Sequence, residues 1–399
     1  MSLSASREKR LLFTLALIHF VHILDFMVMM PLGPHFIRDF AINAGLFSFL
    51  ISAYTVSAGV AGFIGSFFLD KVERKKTLVL SLSGFTVGTL FCALSPTYII
   101  LFVSRIITGF FGGILASLVL AILGDVIPSH RRGNAMGMVM SSFSIASIVG
   151  VPCGLFLSNI WSWTAPFYLL FGTGLITILL AIKTVPSCNL HLEEDNNTEL
   201  AIVKVFKNKN LRSSLALTLS IMLGQFAVVP LISTYMVTNV GFTAHNLTYV
   251  YIFGGLAAMI MSPISGKLGD RFGKFPVFMI FSILCMIPLL VITQLGLYSS
   301  LVIPLIFTSL LFLCSTGRMV CGMALIISSV GSKQRGGFMS INTSVQQLSA
   351  GAASFIGGII IHQLPSGKII NYDYVGYWAV SFAILSIIAA SRVKQVESN

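Results

Sequence analysis

Three formal charges stand inside long apolar runs of this 399-residue chain: Asp25 in the first run, Arg105 in the fourth and Arg318 in the tenth. A charge at the centre of a bilayer costs about 2.5–3.5 kcal/mol even on the lenient insertion scale, so each needs a partner, a proton or a watery cavity. Asp25 lies about fourteen residues into its run, roughly 21 Å deep at the helical rise, and Arg105 about seven residues into a run entering from the opposite side, roughly 11 Å deep. The two depths add up to about the ~30 Å of a hydrocarbon core, so the pair can lie level. Pairing would offset the desolvation of both ions. The chemistry open to such a pair is proton binding and release, exchanged against a solute; the other reading is a permanent ion pair between two helices. His22 precedes Asp25 at the i,i+3 spacing that shares a helix face, and it serves either as a proton relay or as a hydrogen-bonded polar residue.

Arg318, in Ser315-Thr-Gly-Arg318-Met, has no acidic residue inside any run of its half of the chain. Either it faces a wet cavity and binds something anionic, or it bonds neighbouring amides such as Gln346 or Gln347. Gln225 sits in the second half where Asp25 sits in the first, and an amide cannot titrate. It is expected to face a cavity.

Composition dictates the elements that must position these groups. With 56% hydrophobic residues, 10% charged and a mean hydropathy of +0.92, this is no ordinary soluble chain. Twelve runs have spanning length: about 11–32, 46–69, 77–95, 98–123, 134–159, 163–183, 213–237, 246–266, 275–294, 301–328, 337–361 and 375–391. The basic start, Arg7 to Arg10, leads into a run too long for a signal-peptide core, so Leu11 onward reads as the first span. The net charge of +12 does not mark a nucleic-acid partner. Twenty-one of the 25 Lys and Arg fall in the tails and loops of one side, which places both termini and the central loop in the cytoplasm. The expected organisation is a six-span half over 1–183, a linker over 184–211 and a second half over 212–399. Six scattered cysteines without a CxxC read as small apolar residues, and no metal site is expected.

The halves repeat. Gly65-Ser-Phe-Phe-Leu-Asp70-Lys-Val-Glu-Arg74-Lys75 returns as Gly266-Lys-Leu-Gly-Asp270-Arg271-Phe-Gly273-Lys274, and Arg132-Gly133 returns as Arg335-Gly336. Asp25-Phe26, leading to Pro31, matches Gln225-Phe226, leading to Pro230. Six spans per half, each half starting on one side, make a parallel repeat of the kind found in one large class of secondary transporter.

At these residues the chain resembles the major facilitator superfamily over essentially its whole length. The loop of Gly65, Asp70, Arg74 and Lys75 is similar to that family's Gly-x-Leu-Ala-Asp-Arg-x-Gly-Arg-Lys signature, with Lys71 and Glu73 departing from it. Arg105 followed by Gly109, and Leu24-Asp25, resemble motifs of the drug:proton antiporter branch. Gly150-Val-Pro152-Cys-Gly154 is similar to its Gly-Pro-x-x-Gly-Gly motif but incomplete. The resemblance implies an all-α membrane protein of two pseudo-symmetric six-helix bundles. It also implies cytoplasmic gating contacts at Asp70, Arg74, Asp270 and Arg271, and close packing of the fifth span at Gly150, Pro152 and Gly154.

The expected function is a proton-coupled secondary transporter of the plasma or bacterial inner membrane, exporting small, largely apolar compounds by alternating access. The alternative is a transporter of the same fold for a metabolite such as a sugar, amino acid or siderophore, in either direction. No HExxH, GxSxG or P-loop pattern supports an enzyme or an ATP-driven pump. No cofactor is expected beyond the proton as coupling ion, and the expected partners are the lipid bilayer and a small-molecule substrate, with no obligate protein partner evident.

Overall fold

A computed structural model describes residues 5–68, 72–127, 131–186, 207–297, 301–331 and 335–396. These residues are almost wholly helical, as a chain in lipid must be when water is absent to satisfy its backbone. Twelve long helical segments follow the apolar runs in order. Spans one to four are Ala5–Val28, Ala44–Phe68, Arg74–Ala93 and Tyr98–Val126. Span five is built from Arg132–Ile145, Ala146–Gly150 and Val151–Ile160, and span six is Ala165–Thr184. Span seven is Lys209–Val240, and spans eight to ten are Ala244–Phe272, Lys274–Thr293 and Val302–Ser328. Spans eleven and twelve are Arg335–Ile360 and Tyr372–Ser391.

Eleven of these segments are long and apolar enough to cross a membrane. Span eleven has the length, but Asn342, Gln346, Gln347 and its row of serines and threonines dilute its apolar character. Many hydroxyls in the spans bond to their own helix: Thr86 donates to the Leu82 carbonyl at 2.7 Å and Ser104 to that of Ile100 at 2.7 Å. Side-chain caps start several helices, with Thr97, Asn208 and Thr243 each accepting from backbone N–H groups of the first turn. Outward from these helices, rows such as Leu80, Val87 and Phe91 on span three, or Ile280, Ile283 and Ile287 on span nine, present apolar side chains to the surroundings.

Two helices depart from their simple runs because of proline. Pro152 has no N–H to donate, and the backbone just before it, Ala146–Gly150, winds as a π turn. In span seven Pro230 falls in a 3-10 turn, Val229–Leu231, and the segment ends at Gly241, whose φ of +87° only glycine adopts without strain. Span one also stops at Val28, short of the expected Leu32, and a separate helix, Gly33–Asp39, follows.

The chain forms two compact units, Met1–Val28 with Ala53–Leu200, and Met29–Ser52 with Ala201–Asn399. This differs from a boundary drawn at the central linker. In the second unit Gly33 abuts Thr234 and Phe47, the Ala44 N–H donates to Gln363 Oε1 at 2.9 Å, and Phe49 stacks on Phe355 at 4.8 Å. Asn239 anchors the hairpin of His362–Gln363 and Ile369–Ile370 through two hydrogen bonds to the Ile369 backbone. The first connecting segment is therefore built into the second unit by contacts that no linear pattern announces. Most of the expected linker, 187–206, lies outside the described residues.

In the first unit, span five lies directly against span one. A Cβ added to Gly150 would come within 2.6 Å of Leu24, and one added to Gly154 within 2.5 Å of Val28, so these glycines set the contact on either side of Asp25.

Candidate functional site: a buried acid–base pair and a buried lone guanidinium

Asp25 is fully buried, and Arg105 reaches it from span four with Nη1 donating to Oδ2 at 2.6 Å. Thr89, on span three, donates to Asp25 Oδ1 at 3.3 Å while also pointing at the Phe85 carbonyl. A carboxylate and a guanidinium are thus desolvated together, each the other's main compensation.

Tyr54 of span two completes this cluster, and sequence reasoning missed it. Its ring lies over the Arg105 guanidinium at 4.3 Å and stacks on Phe26 at 5.4 Å. Such a cation–π contact is worth about 2 kcal/mol when desolvated. What brings Tyr54 there is Gly109, one turn beyond Arg105, whose missing side chain leaves room for the Tyr54 carbonyl. Gly113, a further turn on, does the same for Ala58. The Arg105-x-x-x-Gly109 spacing therefore has a mechanical reading: the glycine seats span two so that its tyrosine covers the arginine. We expect Gly109→Leu to cost about 1–3 kcal/mol through overpacking, read as a lower melting temperature in detergent. An unchanged melting temperature would show that this approach is not needed.

His22 is buried, and neither ring nitrogen has a hydrogen-bond partner among the described residues. The Tyr54 hydroxyl is also unpartnered among them. Both border Gly112, where an added Cβ would sit 2.7 Å from the Tyr54 oxygen and 3.2 Å from His22 Nε2. One turn back, His19 Nδ1 lies 2.8 Å from Ser142 Oγ, and the His19 and His22 rings are 6.4 Å apart. His19, His22 and Asp25 form a line along one helix face, with no direct hydrogen bond between His22 and Asp25.

The second unit repeats the arrangement with different chemistry. Arg318, 1% exposed, points Nη2 toward Gln225 Oε1 at 3.5 Å, a long contact, and its Nε and Nη1 have no partner among the described residues. Gln225 lies three residues before the end of its straight helix, as Asp25 does. Gln346 and Gln347 are half-buried and make no hydrogen bond to Arg318 among the described residues, so the amide that faces this arginine is on span seven and not span eleven. Asn342 accepts from Thr218 at 2.5 Å and leaves its Nδ2 unpartnered.

The loop-end charges behave differently from expectation. Asp70 lies outside the described residues. Arg74 pairs with Asp125 at the end of span four, at 3.1 Å, and Arg131 pairs with Glu8 at 3.1 Å. Asp270 and Arg271 are exposed and form no ion pair among the described residues; Arg271 lies over the Phe272 ring at 5.1 Å. Helix ends are tied in the first unit through acids placed by the fold, Asp125 and Glu8, that the repeat comparison does not single out.

Comparison with known proteins agrees with this architecture. The chain is 24% identical to an inner membrane transport protein of Escherichia coli (strain K12), YdhP, over 92% of each chain. It is 23% identical to a probable sugar efflux transporter of Helicobacter pylori, over 88% of this chain and 86% of that one. Matches to several uncharacterized MFS-type transporters of Bacillus subtilis span only 34% to 64% of their length. The solved structure of a D-xylose-proton symporter superposes with a TM-score of 0.77 at 15% identity, covering 98% of both chains. The family model of the Major Facilitator Superfamily matches residues 15–318 and 215–391, and the chain belongs to that superfamily of membrane transporters.

Proposed function

We propose that this transporter is a proton-coupled antiporter of the bacterial inner membrane, with cytoplasmic termini, which exports small, largely apolar compounds by alternating access. The observation that carries the reading is the fully buried Asp25–Arg105 pair at 2.6 Å. A titratable carboxylate held by one cation in a desolvated site is a two-state element: a proton arriving on Asp25 removes its charge and frees the guanidinium. The two states differ in how tightly the helices are tied, because Arg105 cannot pair with a neutral carboxyl as strongly as with a carboxylate. His22 and the Tyr54 hydroxyl, unpartnered at either side of Gly112, offer the polar stepping points nearest the pair.

The driving force is adequate for this role. One elementary charge moving through 100 mV is worth about 2.3 kcal/mol, enough to bias two states of similar energy. The test is purified protein in sealed vesicles with an imposed pH gradient and a broad set of radiolabelled compounds. We expect solute movement opposite to proton movement, abolished by collapsing the gradient with a protonophore. Solute flux that ignores the gradient would overturn the coupling.

A second reading, transport of an endogenous metabolite, draws on Arg318, a buried cation that a purely apolar cargo leaves without a function. It is also in keeping with the printed name of the Helicobacter pylori relative.

A further inference from the structure

Among the described residues the two buried arginines differ in one respect that bears on cargo. Arg105 has a carboxylate at 2.6 Å; Arg318, equally buried, has only an amide oxygen at 3.5 Å and two guanidinium nitrogens without any partner. A guanidinium cannot shed its charge, so a neutral form is not available as it would be for a buried lysine. An uncompensated ion in such a place costs several kcal/mol after relaxation. Within its unit Arg318 is the one charge buried in a span among the described residues, and no acidic side chain pairs with it.

Its surroundings narrow what could supply the missing charge. Four residues along the same face of span ten, Gly322 packs tightly against the buried Ile221 and Phe278, so the helix contact beside the guanidinium is filled by apolar core side chains and supplies no counter-charge. Gln225 offers an amide, which donates as well as accepts, next to the cation. One fixed positive charge balances one negative charge; a dianionic phosphate would ask for a second cation that this unit does not bury.

We infer that Arg318 anchors the head of a monoanionic cargo, a carboxylate on an apolar body, with Gln225 as its second polar contact. This deepens the transport reading by naming the charge of the cargo, and it rests on that reading. The guanidinium's free N–H groups meet the carboxylate oxygens.

Equilibrium binding to the purified protein in detergent, with no gradient, tests the inference apart from proton coupling. The probes are benzoate, phenylacetate and decanoate, each set beside its amide, and the readout is isothermal titration calorimetry. We expect at least one carboxylate to bind about tenfold or more tightly than its amide, the scale of one charge-assisted hydrogen-bonded pair. Arg318→Gln should erase that preference, and Arg318→Lys should retain part of it. Equal binding of acid and amide, an unaltered preference in Arg318→Gln, or no binding of any carboxylate would overturn the inference. Loss of coupled transport in vesicles with the preference intact would instead count against the proton reading alone.

Discussion

Asp25→Asn is expected to abolish accumulation of cargo against its gradient while leaving the protein folded and able to equilibrate cargo downhill. The amide is nearly isosteric with the carboxylate and can still accept from Arg105 Nη1, but it cannot take up a proton. The molecule already contains the arrangement this substitution would create, since Gln225 stands against Arg318 in the second unit. An arginine facing an amide is thus tolerated in this fold at the corresponding place of span seven. The size of the effect follows from the gradient. For exchange of one proton against one cargo molecule, with the membrane potential held at zero, each unit of pH difference sustains about tenfold accumulation, because a tenfold ratio and one pH unit both correspond to about 1.4 kcal/mol. The variant should show a final ratio near one, with downhill counterflow of labelled cargo retained. Accumulation at the parent level by Asp25→Asn would place the coupling proton elsewhere, with the His19 and His22 pair next in line.

How far these residues could be read from sequence depended on whether a rule of spacing governed them. Helix identity followed from apolar length, and even span eleven, which falls short in apolar character, lies where a run was expected because Asn342, Gln346 and Gln347 are spread along one helix among small residues. The Asp25–Arg105 pair was legible because two buried charges of opposite sign at equal depth have few other solutions. Tyr54 was not, since a tyrosine in a span that is apolar on every face carries no periodic signal; only the glycines at 109, 112 and 113 hint that another helix comes close. Asp125 and Glu8 were passed over for a related reason. Their partners, Arg74 and Arg131, come from neighbouring helix ends, and such pairings are set by packing, not by repeat position. The same holds for Arg318, where the facing amide comes from span seven. The repeat mate of Asp25 was the better guide than the polar row of span eleven.

Removing the other member of the pair separates structure from function. Arg105→Ala strips Asp25 of its cation and uncovers the Tyr54 ring, leaving a carboxylate 0% exposed with only Thr89 as a donor. Breaking a buried pair from one side costs about 3–5 kcal/mol, because the remaining charge keeps its desolvation penalty without its compensation. We expect Arg105→Ala to melt well below the parent. The decisive comparison is the double variant Asp25→Asn/Arg105→Ala, in which no charge remains. It should recover most of the stability that Arg105→Ala loses, giving a strong coupling term in a double-mutant cycle, yet stay inactive in gradient-driven transport. Recovery of stability without recovery of transport means that the pair is kept for what the proton does to it, since a neutral site would hold the helices equally well. If the double variant were no more stable than Arg105→Ala, the arginine would be serving the fold through Tyr54 and the span two contact, and the ion pair would be incidental to it.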